Sequence, residues 1–173
     1  VEYVVCYIGV IMSKEIKDYI NNVLREKREE FSGKAVCPFA GPELDANKLM
    51  MAEVGEKNLI ELIQEFKESD YESALLTIKE DVPAEQTKKF QVFVNKLLKQ
   101  EGMPNHKSIC FNPNDQVSVE GYNPRARAPH FMVNIAHRKV LSEANKSLKK
   151  TSYYDKLPDD YLNFLETRKK QKT

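Results

Sequence analysis

Two short stretches of this chain carry most of the side chains that could do chemistry. The first is Val36-Cys37-Pro38-Phe39-Ala40-Gly41-Pro42, with a cysteine ahead of a proline. The second runs from Phe111 to Lys139 and holds Arg125, Arg127, His130 and His137. A cysteine before proline suits a nucleophilic thiol, provided a helix N-terminus or a cation lowers its pKa. The bland alternative is a small, half-buried apolar residue in a packed loop. Arg125 and Arg127 alternate with alanine between Pro124 and Pro129, and the prolines stiffen that loop. Arginine's planar fork matches a carboxylate or a phosphate, so the pair could hold the acid group of a small ligand. Equally, the pair could anchor the loop to Asp115 or Glu120.

The histidines divide by parity. Phe131, Val133, Ile135 and His137 share one side of a strand, the apolar one. His137 therefore reads either as a satisfied core histidine or as a metal ligand, since imidazole is the commonest ligand for transition metals. His130 falls on the other side with Met132 and Asn134. His106 follows Pro104-Asn105 in a turn, which suggests exposure. No HxH, HExxH, GxSxG, GxGxxG or Walker pattern occurs, so zinc hydrolase, serine hydrolase and nucleotide-cradling readings lack a signature. Asn112-Pro113-Asn114-Asp115 is strong turn chemistry and needs no function.

These residues need elements to position them. Ser13 reads as the N-cap of a helix to about Phe31, ended by Ser32-Gly33. Leu49 to Val54 reads as a strand. A helix with Leu59, Leu62, Ile63 and Phe66 on one face follows, then a buried strand from Ala74 to Ile78. Pro83 suits the first turn of a helix striped by Phe90, Phe93, Val94, Leu97 and Leu98 and closed by Gly102. Ile109 to Phe111, Gln116 to Glu120 and Phe131 to Ala136 read as further strands. Helices bearing Val140, Leu141, Ala144 and Leu148, and then Tyr161, Leu162 and Leu165, finish the chain. The expected fold class is α+β, one mixed sheet packed by helices, with a ferredoxin-like sandwich as the specific form.

Composition bounds the rest. The 173 residues suit a single domain, which we place at 12–173, with 1–11 as an uncertain extension ahead of Met12. Net charge is +1 from 27 basic and 26 acidic residues, which argues against general nucleic-acid or membrane binding. The basic run Arg168-Lys169-Lys170-Gln171-Lys172 reads as a solvated helix end. Cys6, Cys37 and Cys110 form no close pair, so a reducing, cytoplasmic compartment is expected. No run of about 18 apolar residues is present to span a bilayer.

At these blocks the chain resembles two bacterial families. Cys37 to Ala40, Phe111 to Pro113 and Arg127 to Pro129 follow the order of an uncharacterised family with a Cys-Pro-Phe-Ala block. That resemblance implies a fold and no activity. Gly121-Tyr122-Asn123-Pro124, Arg127 and Asn134-Ile135-Ala136-His137 resemble the YqcI/YcgG-like family, some of whose members are haem-dependent enzymes oxidising nitrogen on amino acids. Asn123 stands where that family often has histidine. The second resemblance implies haem as cofactor and an oxidase or oxygenase acting on an amine or amino acid. His137 would be the axial ligand, and Arg125 and Arg127 would hold a propionate or substrate carboxylate. Cys37 would line the pocket, and Tyr122, His130 and Asn134 would face the substrate. Omega-class glutathione transferases also use a Cys-Pro-Phe-Ala block, with a strand directly before it and a helix directly after. Here Gly41-Pro42 opposes an immediate long helix. Two other readings come from the residues alone: a non-enzymatic domain binding a small anionic or zwitterionic molecule, and a thiol enzyme centred on Cys37. Whether the chain is an enzyme, and its oligomeric state, stay open at this level.

Overall fold

A computed structural model describes residues 14–55 and 57–163. The N-terminal extension, Leu165 and the basic run at 168–172 lie outside the described residues. The chain forms a mixed α+β fold around one four-stranded sheet. Residues 14–19 are α-helical (α1) and continue as a π-helical turn over Ile20–Leu24. Ile16, Tyr19, Ile20, Val23 and Leu24 are all buried, as their helical spacing predicts. The helix stops there rather than at Phe31. Positions 27 and 28, which should continue the stripe, are lysine and arginine. Lys27–Arg28 (β1) and Lys34–Ala35 (β2) pair instead as a small antiparallel hairpin, turned through Ser32 and Gly33 at φ 55° and 70°.

Ala40–Asp45 (α2) follows. A helix therefore does begin directly after the cysteine block, but it has six residues. Pro42 is tolerated in its first turn, where no N–H is needed. Gly41 has a second reason. The Arg25 side chain crosses where a Cβ would stand, on its way to an ion pair with Asp45.

Leu49–Glu53 (β3) runs parallel to Ser73–Ile78 (β4), and Leu59–Glu68 (α3) makes the crossover. A capping box between Asn58 and Glu61 starts α3. Thr87–Gln100 (α4) leads to His106–Phe111 (β5), and Phe131–His137 (β6) inserts between β4 and β5, antiparallel to both. All six residues of β4 are buried, which explains its unbroken apolar reading. Arg138–Lys149 (α5) and a helical turn at 159–163 (α6) end the described chain.

Helices cover both faces of the sheet. Met50, Leu76, Val133 and Ile135 pack under α3 and α4. Leu75 and Met132 face α1, Tyr153 and Tyr161. This strand order does not by itself make the narrower ferredoxin-like sandwich, which stays an expectation. The strand expected at Gln116 to Glu120 does not form. An isolated bridge between Val119 and Tyr122 stands there, closed by a tight turn through Glu120 and Gly121 at φ 48° and 84°. No helix among the described residues is long and apolar enough to cross a membrane.

The β5 edge is closed by side chains. Asn95 Oδ1 accepts the Ser108 N–H at 2.8 Å, and Gln91 Oε1 accepts the Cys110 N–H at 3.0 Å. Both amides come from one face of α4, four residues apart. An edge strand left open would offer those groups to another chain. Gln91→Ala is expected to cost roughly 1–3 kcal/mol, the penalty for leaving a buried donor unpaired. Urea unfolding checks the number, and an unchanged midpoint would contradict it.

Candidate functional site

The cysteine block is pinned from three directions. The Cys37 N–H donates to the Leu24 carbonyl at 2.8 Å, and the Val36 N–H donates to the Glu26 carbonyl at 3.1 Å. The buried Tyr153 hydroxyl donates to the Val36 carbonyl at 2.5 Å. Burial pushes the Cys37 thiol above its usual range, and the Glu43 carboxylate adds to that. Backbone N–H groups of Phe39 and Ala40, at the start of α2, pull the other way without winning. The helix-start geometry of a reactive thiol is thus present, but its electrostatic result is not.

The arginine loop is organised around one enclosed charge. Arg125 is 4% exposed and Asp115 7% exposed, with Arg125 Nε 3.8 Å from Asp115 Oδ2. The guanidinium carbon lies 5.9 Å from the Phe111 ring centre and 5.8 Å from that of Tyr161. Asn123 Oδ1 accepts the Arg125 N–H at 3.0 Å, and Asn123 Nδ2 donates to the Asp115 carbonyl at 2.5 Å. The Tyr19 hydroxyl donates to the Pro124 carbonyl at 2.9 Å. Each block flagged by the sequence is therefore held by a buried tyrosine from elsewhere in the chain. Burial drives both Tyr19 and Tyr153 well above the usual phenol range, so both stay protonated donors.

Arg127 behaves differently. It is half exposed, with Nη1 3.7 Å from Glu26 Oε2 and 3.5 Å from the Tyr122 hydroxyl. The Tyr122 ring in turn carries the Arg28 guanidinium at 3.7 Å. Arg125 reaches one of the two carboxylates that the sequence offered as loop anchors, whereas Arg127 reaches the hairpin.

His130 and His137 lie at opposite ends of β6. His130 Nε2 sits 3.1 Å from Glu15 Oε2. Asn134 is in mid-strand on the α1 face, level with Leu75 and Ile109. His137 closes β6 and caps α5, its Nδ1 accepting the Lys139 N–H at 3.2 Å. At about 3.3 Å per residue, the length of β6 puts His137 roughly 20 Å from the Arg125 end. That exceeds the reach from haem iron to propionate. These residues do not fit one haem held by His137 with Arg125 and Arg127. Among the described residues no group of three or more His, Cys, Asp or Glu is placed to hold a metal ion.

Sequence reasoning passed over a groove of about 420 Å³ between β5 and α5. Phe39, Ile109, Leu141, Leu148 and Tyr154 wall it, and Lys107 and Arg138 supply positive charge. Arg138 has no acidic partner among the described residues. The signal was legible in one respect. α5 has a strongly two-faced sequence, and none of its residues is fully buried.

Arg125→Met removes one partner of a buried pair and is expected to cost about 3–5 kcal/mol. Arg127→Ala should stay within about 0.5 kcal/mol, as for an exposed charge. Urea titration of both variants checks the contrast, and equal effects would contradict it. Cys37 should alkylate with iodoacetamide more slowly than a free cysteine at neutral pH. Its rate should still be climbing above the ordinary thiol range. Rapid labelling that levels off near pH 7 would contradict the raised thiol.

No protein-family model matches the chain, nor does any curated protein or solved structure.

Proposed function

We propose that the protein is a binding domain for a small amphipathic anion, seated in the groove between β5 and α5. One observation carries this reading: an apolar groove whose mouth holds an arginine, Arg138, with no acidic partner among the described residues. The volume of about 420 Å³ falls in the range of roughly 300–1,000 Å³ typical of small-molecule sites. Apolar walls would take a hydrocarbon or ring body. Arg138, helped by Lys107, would take a carboxylate or phosphate at one end. The anion reading thus moves from Arg125 and Arg127, which are committed to Asp115 and Glu26, to the opposite end of β6.

Two other proposals are weaker. Haem-dependent oxidation of an amine or amino acid, as the YqcI/YcgG-like resemblance implies, would need His137 and the loop arginines around one macrocycle. A thiol enzyme at Cys37 would need a thiolate, and burial works against it. A cytoplasmic location is part of the reading, and Cys37 is a free thiol, as a reducing compartment favours.

Calorimetric titration with octanoate tests the groove. Octanoate should bind, and uncharged octanol should bind less tightly. Arg138→Gln should weaken octanoate about tenfold, near the 1.4 kcal/mol of one charge-assisted hydrogen bond. Leu141→Asn should abolish binding while circular dichroism stays unchanged. Failure of octanoate to bind at millimolar concentration would overturn the assignment.

A further inference from the structure

The same corner of the sheet carries a second cavity, on its opposite face. His106 and His137 are directly paired across β5 and β6, with ring centres 5.1 Å apart and planes near perpendicular. Both turn to the side covered by α3 and α4. There they line a cleft of about 300 Å³ with Phe66, Lys67, Tyr71 and Asn105. Among the described residues no acidic side chain lines it. Lys67 Nζ stands at the rim, donating to the Glu101 carbonyl at 2.9 Å. The His137 Nδ1 accepts the Lys139 N–H, so the neutral ring carries its proton on Nε2. The buried His106 Nδ1 has no hydrogen-bond partner among the described residues.

The cleft therefore gathers an ammonium, two imidazoles that can take protons, and a phenol hydroxyl, with no carboxylate to balance them. We propose that it is a binding site for a small oxyanion, a sulfate- or phosphate-like group, held by Lys67, His106 and His137. It is separate from the β5–α5 groove and does not depend on that reading. Two neutral imidazoles could instead take a transition-metal ion. The Lys67 ammonium and the lack of a carboxylate in the lining set the charge of the cleft against a cation.

Affinity should depend on pH. Burial lowers the His106 pKa, and the facing His137 lowers it further. The ring is thus largely neutral above its usual range and becomes a charged donor as pH falls. An oxyanion between the two rings would favour that protonation. The other charged groups nearby shape the response. Lys67 comes from α3, and Arg138 and Lys139 from the start of α5. Glu101, at the end of α4, turns its carboxylate to Gln64 at 2.9 Å. Glu68 and Asp70 flank Ser69 in sequence, but neither lines the cleft.

Sulfate is the probe, because its charge is constant from about pH 5 to 8, which isolates the imidazoles' contribution. Imidazole NMR resonances should shift saturably with sulfate in the unmodified protein. Binding should be about tenfold tighter near pH 5.5 than near pH 8. His106→Gln should flatten that pH dependence, His137→Gln should weaken sulfate binding, and Lys67→Gln should weaken binding at both pH values. Three results would overturn the proposal. One is the absence of any saturable shift at tens of millimolar sulfate. Another is weak, pH-independent binding indifferent to the histidine variants, meaning an adventitious ion only. The third is zinc binding through the pair without sulfate binding.

Discussion

A guanidinium enclosed among aromatic rings is the constraint around which the long β5–β6 connection is organised. Charge transferred into such a place costs several kcal/mol unless it is paired and hydrogen-bonded. Arg125 is paired with Asp115 on its own loop, and is packed by Phe111 and Tyr161 from β5 and α6. The loop therefore cannot shift without exposing or breaking the pair. Tyr19 fixes the neighbouring carbonyl, and through Tyr19 the loop is tied to α1. Across the same core, Tyr153 fixes the carbonyl ahead of Cys37. The two stretches richest in reactive residue types are thus among the most firmly held in the molecule, and their side chains spend their bonding capacity on that.

This commitment decides where ligands can go. With Arg125 enclosed and Arg127 tied to Glu26, positive charge with room beside it lies at the far end of β6. There Lys107 and Arg138 face one side of the sheet, and His106 and His137 face the other. Alternation along two paired strands puts neighbouring residues on opposite faces, so one sheet corner serves two cavities. The α5 helix covers one of them without burying any of its own residues. A helix packed that lightly can move aside for a ligand at little cost.

Much of this was legible in the chain. The helical stripes of α1 and α3, that of α4 apart from the exposed Phe93, the fully buried β4 and the parity of β6 all followed from spacing. So did the mixed sheet. Pairing between distant segments was not legible. Nothing local says that Gln91 and Asn95 will close the β5 edge, or that Tyr19 and Tyr153 will hold loops more than a hundred residues away. The first helix was read too long because Phe31 continues its stripe by number, while the lysine and arginine at 27 and 28 break it. The residues flagged for function were chosen by type. Type cannot distinguish an arginine that waits for a ligand from one already bound to an aspartate.

The most direct test of this account is hydrogen–deuterium exchange with and without saturating octanoate. Slowed exchange at 107–109 and 141–148, with 123–128 unchanged, is the predicted footprint. Slowing at 123–128, with none along α5, would return the ligand to the loop arginines and contradict the account.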